Sequence, residues 1–252
     1  MANNSQTDRN DELLGREFYL ADAVTVARSL LGKRLVHLSR EGTTAGIIVE
    51  TEAYAGCEDA ACHSYQRKAP VGNHRTNIMF NEGGYAYVYL IYGMYNCFNV
   101  VVNEAGHPEA VLIRALEPVE GLPLMAKRRG IDISPGRCGD LKKLCNGPGK
   151  LCIAMGLTRG HDGWNLCRNA DVGGIIITEG ISVADPDIAA TPRINVDYAG
   201  EASAWPYRFV IRKSAFLSTR KFIPTDERYC EKTQNHDQSL LCPAKHKIVA
   251  FQ

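Results

Sequence analysis

What this sequence lacks narrows its reading first. No apolar run approaches the roughly 20 residues that a membrane-spanning helix needs. The opening MANNSQTDRNDE has no hydrophobic centre of a signal peptide. Formal net charge is +1, so overall charge does not point to a polyanionic partner and any such affinity has to come from local clustering. The nine cysteines show no repeated pair spacing. With no export signal they read as reduced thiols, most of them buried as small hydrophobes. Cys57 and Cys62-His63 lack the second pair of a zinc finger. Near the C-terminus Cys230, His236, Cys242 and His246 could close on zinc, but their spacings are irregular, so no metal is expected. No internal repeat and no second domain stand out. The expectation is a disordered leader over residues 1–12, one α+β domain over 13–215, and a loosely ordered extension over 216–252.

Among what is present, the stretch YAYVYLIYGMYNCFNVVVN, residues 85–103, organises the rest. Tyr85, Tyr87 and Tyr89 alternate with Ala86, Val88 and Leu90, the period of a half-buried strand. A second run from Asn96 to Val102 is rich in β-branched residues. Between them Gly93 supplies the positive φ of a tight reversal. The pattern predicts a β-hairpin with Tyr92 at its tip. Hairpin turns ordinarily carry Asn, Asp or Gly, so an aromatic there reads as a wedge. Tyr87 and Tyr89 share a strand face and read either as a stacking wall or as core aromatics.

A helix is predicted from Asp22 to Leu31, capped by Asp22 and ended by Gly32. A hairpin follows, with LVHLSR as its first strand and residues 44–54, TAGIIVETEAY, as its second. Strict alternation puts Ile48, Glu50, Glu52 and Tyr54 on one face and Val49, Thr51 and Ala53 on the other. Two carboxylates about 7 Å apart along a strand, flanked by aliphatic residues, are costly unless paired, hydrated or used. They could form a glycosidase-type acid–base pair. Glu50 reads first as a partner for a nearby arginine, whereas Glu52, beside Tyr54 and a polar loop, reads as functional. Arg114, inside the apolar strand AVLIRAL of residues 110–116, needs a carboxylate partner or a ligand, and Glu50 or Glu52 can serve.

Between residues 57 and 79 runs a long polar loop, a length that is usually functional or disordered. Arg67, Lys68 and Arg75 face no acid between His63 and Phe80. A second basic cluster holds Lys127, Arg128, Arg129, Arg137, Lys142, Lys143 and Lys150 against Asp132 and Asp140. Such patches suit a surface that meets phosphates on one side, or simply solvated helix faces. Pro118 is expected to begin a helix, residues 130–141 to be mobile, and Gly147-Pro148-Gly149-Lys150 to open a further helix. The first amides of that helix, with Lys150, could hold a phosphate; a helix–hairpin–helix element is the weaker alternative. Strands near residues 176–180 and 207–212 complete the core. Arg193 and Tyr198 carry no decisive pattern.

Taken together, VETEAY (49–54), Ala61-Cys62-His63-Ser64, YVYLIYGMYNCFN (87–99), AVLIRALEP (110–118) and NGPGKLC (146–152) resemble the alkyladenine DNA glycosylase family, also called the 3-methyladenine DNA glycosylase family. The likeness runs from Leu14 to Arg212 in the family's order. It implies one α+β domain with a curved, mostly antiparallel sheet flanked by helices, and a protruding hairpin that enters the DNA minor groove. By that resemblance Glu52 is the general base and Arg114 helps to hold the catalytic water. Tyr54 and Tyr89 sandwich the flipped base, and His63 closes the pocket. Asn99 crowds a guanine 2-amino group, Tyr92 fills the gap in the duplex, and Met94 and Lys150 meet the DNA backbone.

What the resemblance implies is a monofunctional hydrolase. It would excise alkylated or deaminated purines from double-stranded DNA, as a monomer without cofactor, metal or membrane. No Lys stands beside Glu52 or in the hairpin to form a Schiff base. The setting would be cytoplasm or nucleoid in a bacterium and the nucleus in a eukaryote. Two rival readings are a non-catalytic sensor of damaged nucleic acid and a hydrolase of small N-glycosides.

Overall fold

The computed structural model describes residues 12–134 and 138–223. Its strands are β1 (Arg34–Ser39), β2 (Gly42–Tyr54), β3 (Ala86–Ile91), β4 (Tyr95–Val102), β5 (Glu109–Glu120), β6 (Ile175–Thr178), β7 (Ile188–Thr191) and β8 (Arg208–Ile211). They form an open sheet in the order β3-β4-β5-β2-β1-β6, with β8 joined to β2 and β7 to β8. Each pairing is antiparallel. Helices α1 (Ala23–Ser29), α2 (Leu122–Arg129), α3 (Cys138–Leu141) and α4 (Pro148–Met155) complete an α+β domain.

The first helix forms as its sequence dictates. The Asp22 carboxylate accepts from the amides of Val24 and Thr25, each at 3.0 Å, which satisfies two of the orphan donors at a helix start. Gly32 then turns the chain at φ +85°, where a Cβ would stand 2.3 Å from the Ile181 carbonyl oxygen. The buried side of α1, with Val26, Ala27 and Leu30, joins the main core against Ile48, Ala53, Ile113 and Leu116.

β2 is the hub. One edge pairs with β5 along most of its length; the other pairs with β1 up to Ile47 and with β8 from Glu50 to Glu52. Strict alternation fails in the middle of this strand. Ile48 pairs with Leu116 and Glu50 with Ala115, which leaves Val49 unpaired; Thr51 then pairs with Ile113, which leaves Arg114 unpaired. These bulges exchange the faces. Ile48 lies in the main core with Ala53, while Ile47 and Val49 pack into a second cluster with Ala115, Val210, Phe216 and Leu217. The expected grouping of Ile48 with Glu50 and Glu52 is thereby corrected.

Other boundaries moved for identifiable reasons. Pro118 does not start a helix: β5 continues through it, paired with Gly46 beside a register shift where a missing N–H is tolerated. Gly121, at φ +72°, makes the break, and α2 begins at Leu122 with Pro123 in its first turn. The stretch expected to be mobile includes the short α3, and residues 135–137 lie outside the described ones. α4 opens at Pro148 as predicted, whereas α3 has only 4 residues, too few for the leading helix of a helix–hairpin–helix element. β7 had no recognised sequence signal.

Residues 216–223, placed in the extension by sequence, pack on the domain: Phe216 and Leu217 are each 7% exposed. The leader up to residue 11 and the chain from 224 onward, including Cys230, His236, Cys242 and His246, lie outside the described residues. Among those described, no cluster of three or more His, Cys, Asp or Glu could hold a metal ion. No described helix is long and apolar enough to cross a membrane.

Candidate active site

A cavity of about 480 Å³ opens where β3, β4, β5 and the start of α4 converge. This is the size of a site for a drug-sized or nucleotide-sized ligand. Tyr54, His63, Tyr89, Asn99, Arg114 and Tyr92 all line it, joined by Arg75, Ile194 and Tyr198. Six of the nine residues assigned by sequence thus meet in one place.

Glu52 itself stands one layer behind the wall and is fully buried. Its carboxylate takes three hydrogen bonds: Oε2 accepts from the Tyr54 hydroxyl at 3.0 Å and from Arg114 Nη1 at 3.1 Å, and Oε1 accepts from the Ile194 amide at 2.7 Å. All three donors belong to residues that line the cavity. Two carboxylate oxygens offer about four lone-pair sites, so one acceptor direction is left for another group.

Arg114 reaches this carboxylate because it is the unpaired residue of the β5 irregularity. It is buried and shared: Nε donates to Glu50 at 2.9 Å while Nη1 serves Glu52. Burial opposes its charge, but Glu52 and then Glu50 outweigh that and push its pKa up. Burial alone would raise the pKa of Glu50, yet Arg114, Arg208 and Ser218 together hold it below the ordinary carboxylate value. Glu50 is therefore the ion-pair partner, as one of its two readings had it.

The aromatic walls have their own supports. Tyr54 donates to Glu52 and stays a phenol, its pKa raised by loss of water and then by the Glu52 charge. The Arg193 guanidinium lies over the same ring, 4.9 Å from its centroid. Tyr87 and Tyr89 stand 5.2 Å apart, and His63 meets the edge of Tyr89 at 4.6 Å. His63 Nδ1 lies 3.0 Å from the Tyr87 hydroxyl. The residue as a whole is exposed, yet its ring edge is crowded by the two tyrosines. That loss of water, then Arg75 and His74, lowers the imidazole pKa and leaves the ring neutral near pH 7. Asn99 Nδ2 donates to the Tyr87 carbonyl at 3.0 Å, which fixes which way the amide faces.

At the cavity mouth β3 and β4 are joined through Tyr92, Gly93 and Met94, with Tyr92 and Gly93 at φ +53° and +70° and the Met94 amide bonded to the Ile91 carbonyl at 3.1 Å. Tyr92 and Gly93 both take left-handed φ values within this three-residue connection between the paired Ile91 and Tyr95. For a tyrosine that conformation is strained. Tyr92 is 77% exposed and Met94 69%. Met94 and Lys150 lie beyond the wall. Lys150 is exposed on the first turn of α4 and donates to Asn146 Oδ1 at 3.0 Å, while Pro148 and Gly149 reach the cavity. Tyr95 packs on Gly149, where a Cβ would come within 3.0 Å of the Tyr95 Cβ.

Sequence reading missed the arginines that hold the back of the site. Arg193 and Asp59 form a fully buried ion pair. Arg208 donates to Glu50 at 2.8 Å and to the carbonyls of Thr219 and Lys221. Arg208 carried a usable signal, since it breaks the apolar strand YRFVIR much as Arg114 breaks its own. Arg193 lies outside regular structure, so no periodicity could flag it. The polar loop after Cys57 is tied internally: Arg67 bonds Thr76 and Asn77, and Asn77 returns to Val71 and Gly72.

The family described as methylpurine-DNA glycosylase (MPG) matches residues 17–215. A protein of Clostridium novyi (strain NT), named "Putative 3-methyladenine DNA glycosylase", is 44% identical over 208 residues, covering 82% of this chain and 98% of that protein. One of the same name from Bdellovibrio bacteriovorus is 44% identical over 209 residues, covering 82% of this chain and all of its own. Another, from Bacillus mycoides (strain KBAB4), is 45% identical over 203 residues, covering 80% and 97%. With a match over most of its length and relatives at about 44% identity, this chain belongs to the methylpurine-DNA glycosylase family.

Proposed function

We propose that the protein excises alkylated and deaminated purines from double-stranded DNA: 3-methyladenine, 7-methylguanine, ethenoadenine and hypoxanthine. It acts as a monofunctional hydrolase that leaves an abasic site. The observation that carries this reading is the placement of Glu52: its three hydrogen-bond donors form part of the wall of a nucleotide-sized cavity whose mouth bears an exposed tyrosine on a strained turn.

C1′ of a stacked nucleotide is buried, so the nucleotide must first leave the helix at a cost of a few kcal/mol. Tyr92, entering the vacated space, offsets part of that cost by stacking. Tyr54 and Tyr89 receive the base, and a ring carrying N-alkyl positive charge gains cation–π attraction from them. Asn99 faces the purine edge and disfavours a guanine amino group. Water then adds to C1′ as the N-glycosyl bond breaks; the bonding pair leaves with the base, and the water proton passes to Glu52. A cationic N-alkylpurine departs neutral and needs no acid. A neutral lesion must gain a proton as it leaves. Arg114 orients the Glu52 carboxylate through its hydrogen bond, and the carboxylate stabilises the oxocarbenium character that develops at C1′. No lysine lines the cavity among the described residues, which supports hydrolysis without a Schiff-base lyase step. Lys150 and Met94 flank the mouth where the DNA backbone would run. The protein works as a monomer and where chromosomal DNA is found: cytoplasm or nucleoid in a bacterium, the nucleus in a eukaryote.

The test is base release from duplexes carrying each of the four lesions, with the corresponding free nucleosides and Glu52→Gln alongside. Release from duplex and not from nucleoside is expected. The variant should be slower by about 10²–10⁴-fold, the usual worth of a general base, with lesion binding retained. Comparable release from nucleosides would move the activity to small N-glycosides. Unimpaired release by Glu52→Gln would remove the carboxylate from the reaction.

A further inference from the structure

The family match ends at residue 215, yet the buried charge network behind the cavity does not. Ser218 donates twice to Glu50: its amide to Oε2 and its hydroxyl to Oε1, both at 2.7 Å. Glu50 is fully buried and also accepts from Arg114 Nε and Arg208 Nε. Arg208 clamps the same segment from the other side through the carbonyls of Thr219 and Lys221. Phe216 and Leu217 anchor it in the cluster with Val49 and Ala115, the neighbours of Glu50 and Arg114 in the two strands.

We infer that Ser218 and Glu50 are positioning residues for the excision reaction, so that the segment after residue 215 completes the active site. Arg114 has one guanidinium and two carboxylates to serve. Glu50 can hold the Nε edge only if its own oxygens are fixed, and Ser218 and Arg208 fix them. With Nε held, Nη1 is aimed at Glu52 and the Glu52 carboxylate keeps its orientation toward the cavity wall. The buried set of Glu50, Glu52, Arg114 and Arg208 is charge-balanced, two against two. The site therefore tolerates its own burial without Arg114 collapsing wholly onto Glu52. Ser218 touches neither the cavity nor Glu52; its influence passes through Glu50 and through Arg114, whose Nη2 donates to the Ser218 hydroxyl at 3.4 Å.

This inference rests on the glycosylase reading, and the experiment separates the two. Parent, Ser218→Ala, Ser218→Thr and Glu50→Gln are compared in single-turnover excision of 3-methyladenine at saturating protein, with lesion-duplex Kd and Tm measured on each. Ser218→Ala removes the hydroxyl that donates to Glu50 and accepts from Arg114 Nη2 at 3.4 Å, and should lower the single-turnover rate by about 10–100-fold, the scale of hydrogen bonds to charged groups. Its Kd should stay within about twofold, and Ser218→Thr, which keeps the hydroxyl, should restore most of the rate. Glu50→Gln should lose more, and if it does not fold the two serine variants still decide. A lower Tm with an unchanged rate in Ser218→Ala would overturn the inference, since a purely structural contact behaves that way. So would a threonine variant as slow as alanine. A parent that releases no purine overturns the reaction itself, and this inference with it.

Discussion

Asp59→Asn probes a part of the site that touches no substrate in the proposed reaction. Each oxygen of the Asp59 carboxylate accepts one backbone amide and one guanidinium N–H. Oδ2 takes Ala55 N at 3.0 Å and Arg193 Nη1; Oδ1 takes Ala61 N at 3.0 Å and Arg193 Nη2 at 2.8 Å. An asparagine of the same shape must aim its NH2 at two of these donors, whichever way it flips. It also leaves the Arg193 charge without its counter-ion where neither side chain has any exposed surface. Breaking a buried ion pair from one side costs about 3–5 kcal/mol. At about 2–4 °C per kcal/mol for a domain of this size, Tm should fall by roughly 6–20 °C. Function should suffer well below the melting range, because Arg193 lies over Tyr54 and Ala61 belongs to the cavity wall. The assay is thermal unfolding by circular dichroism, followed by single-turnover excision at 20 °C. A Tm within 2 °C of the parent would refute the reasoning, since it would mean that the pair is hydrated or dispensable.

Two further expectations follow from the cavity. Tyr92→Ala should weaken binding to lesion duplex by about 10–100-fold, from the roughly 1–3 kcal/mol of one stacked aromatic, while Tm holds or rises as a strained left-handed tyrosine is relieved; an unchanged binding curve would count against insertion. His63 should titrate below its ordinary value, followed by its imidazole resonances in NMR. Its folded pKa is depressed, so the unfolded chain binds the proton more readily. Its contribution to stability is therefore intact above the unfolded value and declines as pH falls toward the folded one. A midpoint at or above 6.5 would show the ring to be freely hydrated.

The parts of this structure legible in the sequence were those with a local signature. The Asp22 cap, the Gly93 turn, the alternating tyrosines and the Gly147-Pro148 helix start each depend on residues within a few positions of one another, and each formed where expected. The ion pairing of Arg114 was legible for a different reason: a charge inside an apolar strand has few ways to be satisfied. Alternation along β2 failed at Val49, because a bulge depends on what the neighbouring strands require and leaves no mark on composition. Asp59 with Arg193, and Glu50 with Ser218, are separated by well over a hundred residues and meet only through the fold. Nothing local distinguishes Asp59, Arg193 or Ser218 from an ordinary surface residue.

Val49, skipped by the ladder between β2 and β5, turns β2 into a crankshaft. Before the bulge Ile48 points into the main core, and after it Glu50 and Glu52 point away from that core, so a single strand can serve a greasy interior and a charged chamber at once. Phase, more than residue identity, is what evolution has to guard here. Were the ladder to close over Val49 in strict alternation, every acid and every arginine would remain in the chain, yet both carboxylates would swing into the oil beneath α1.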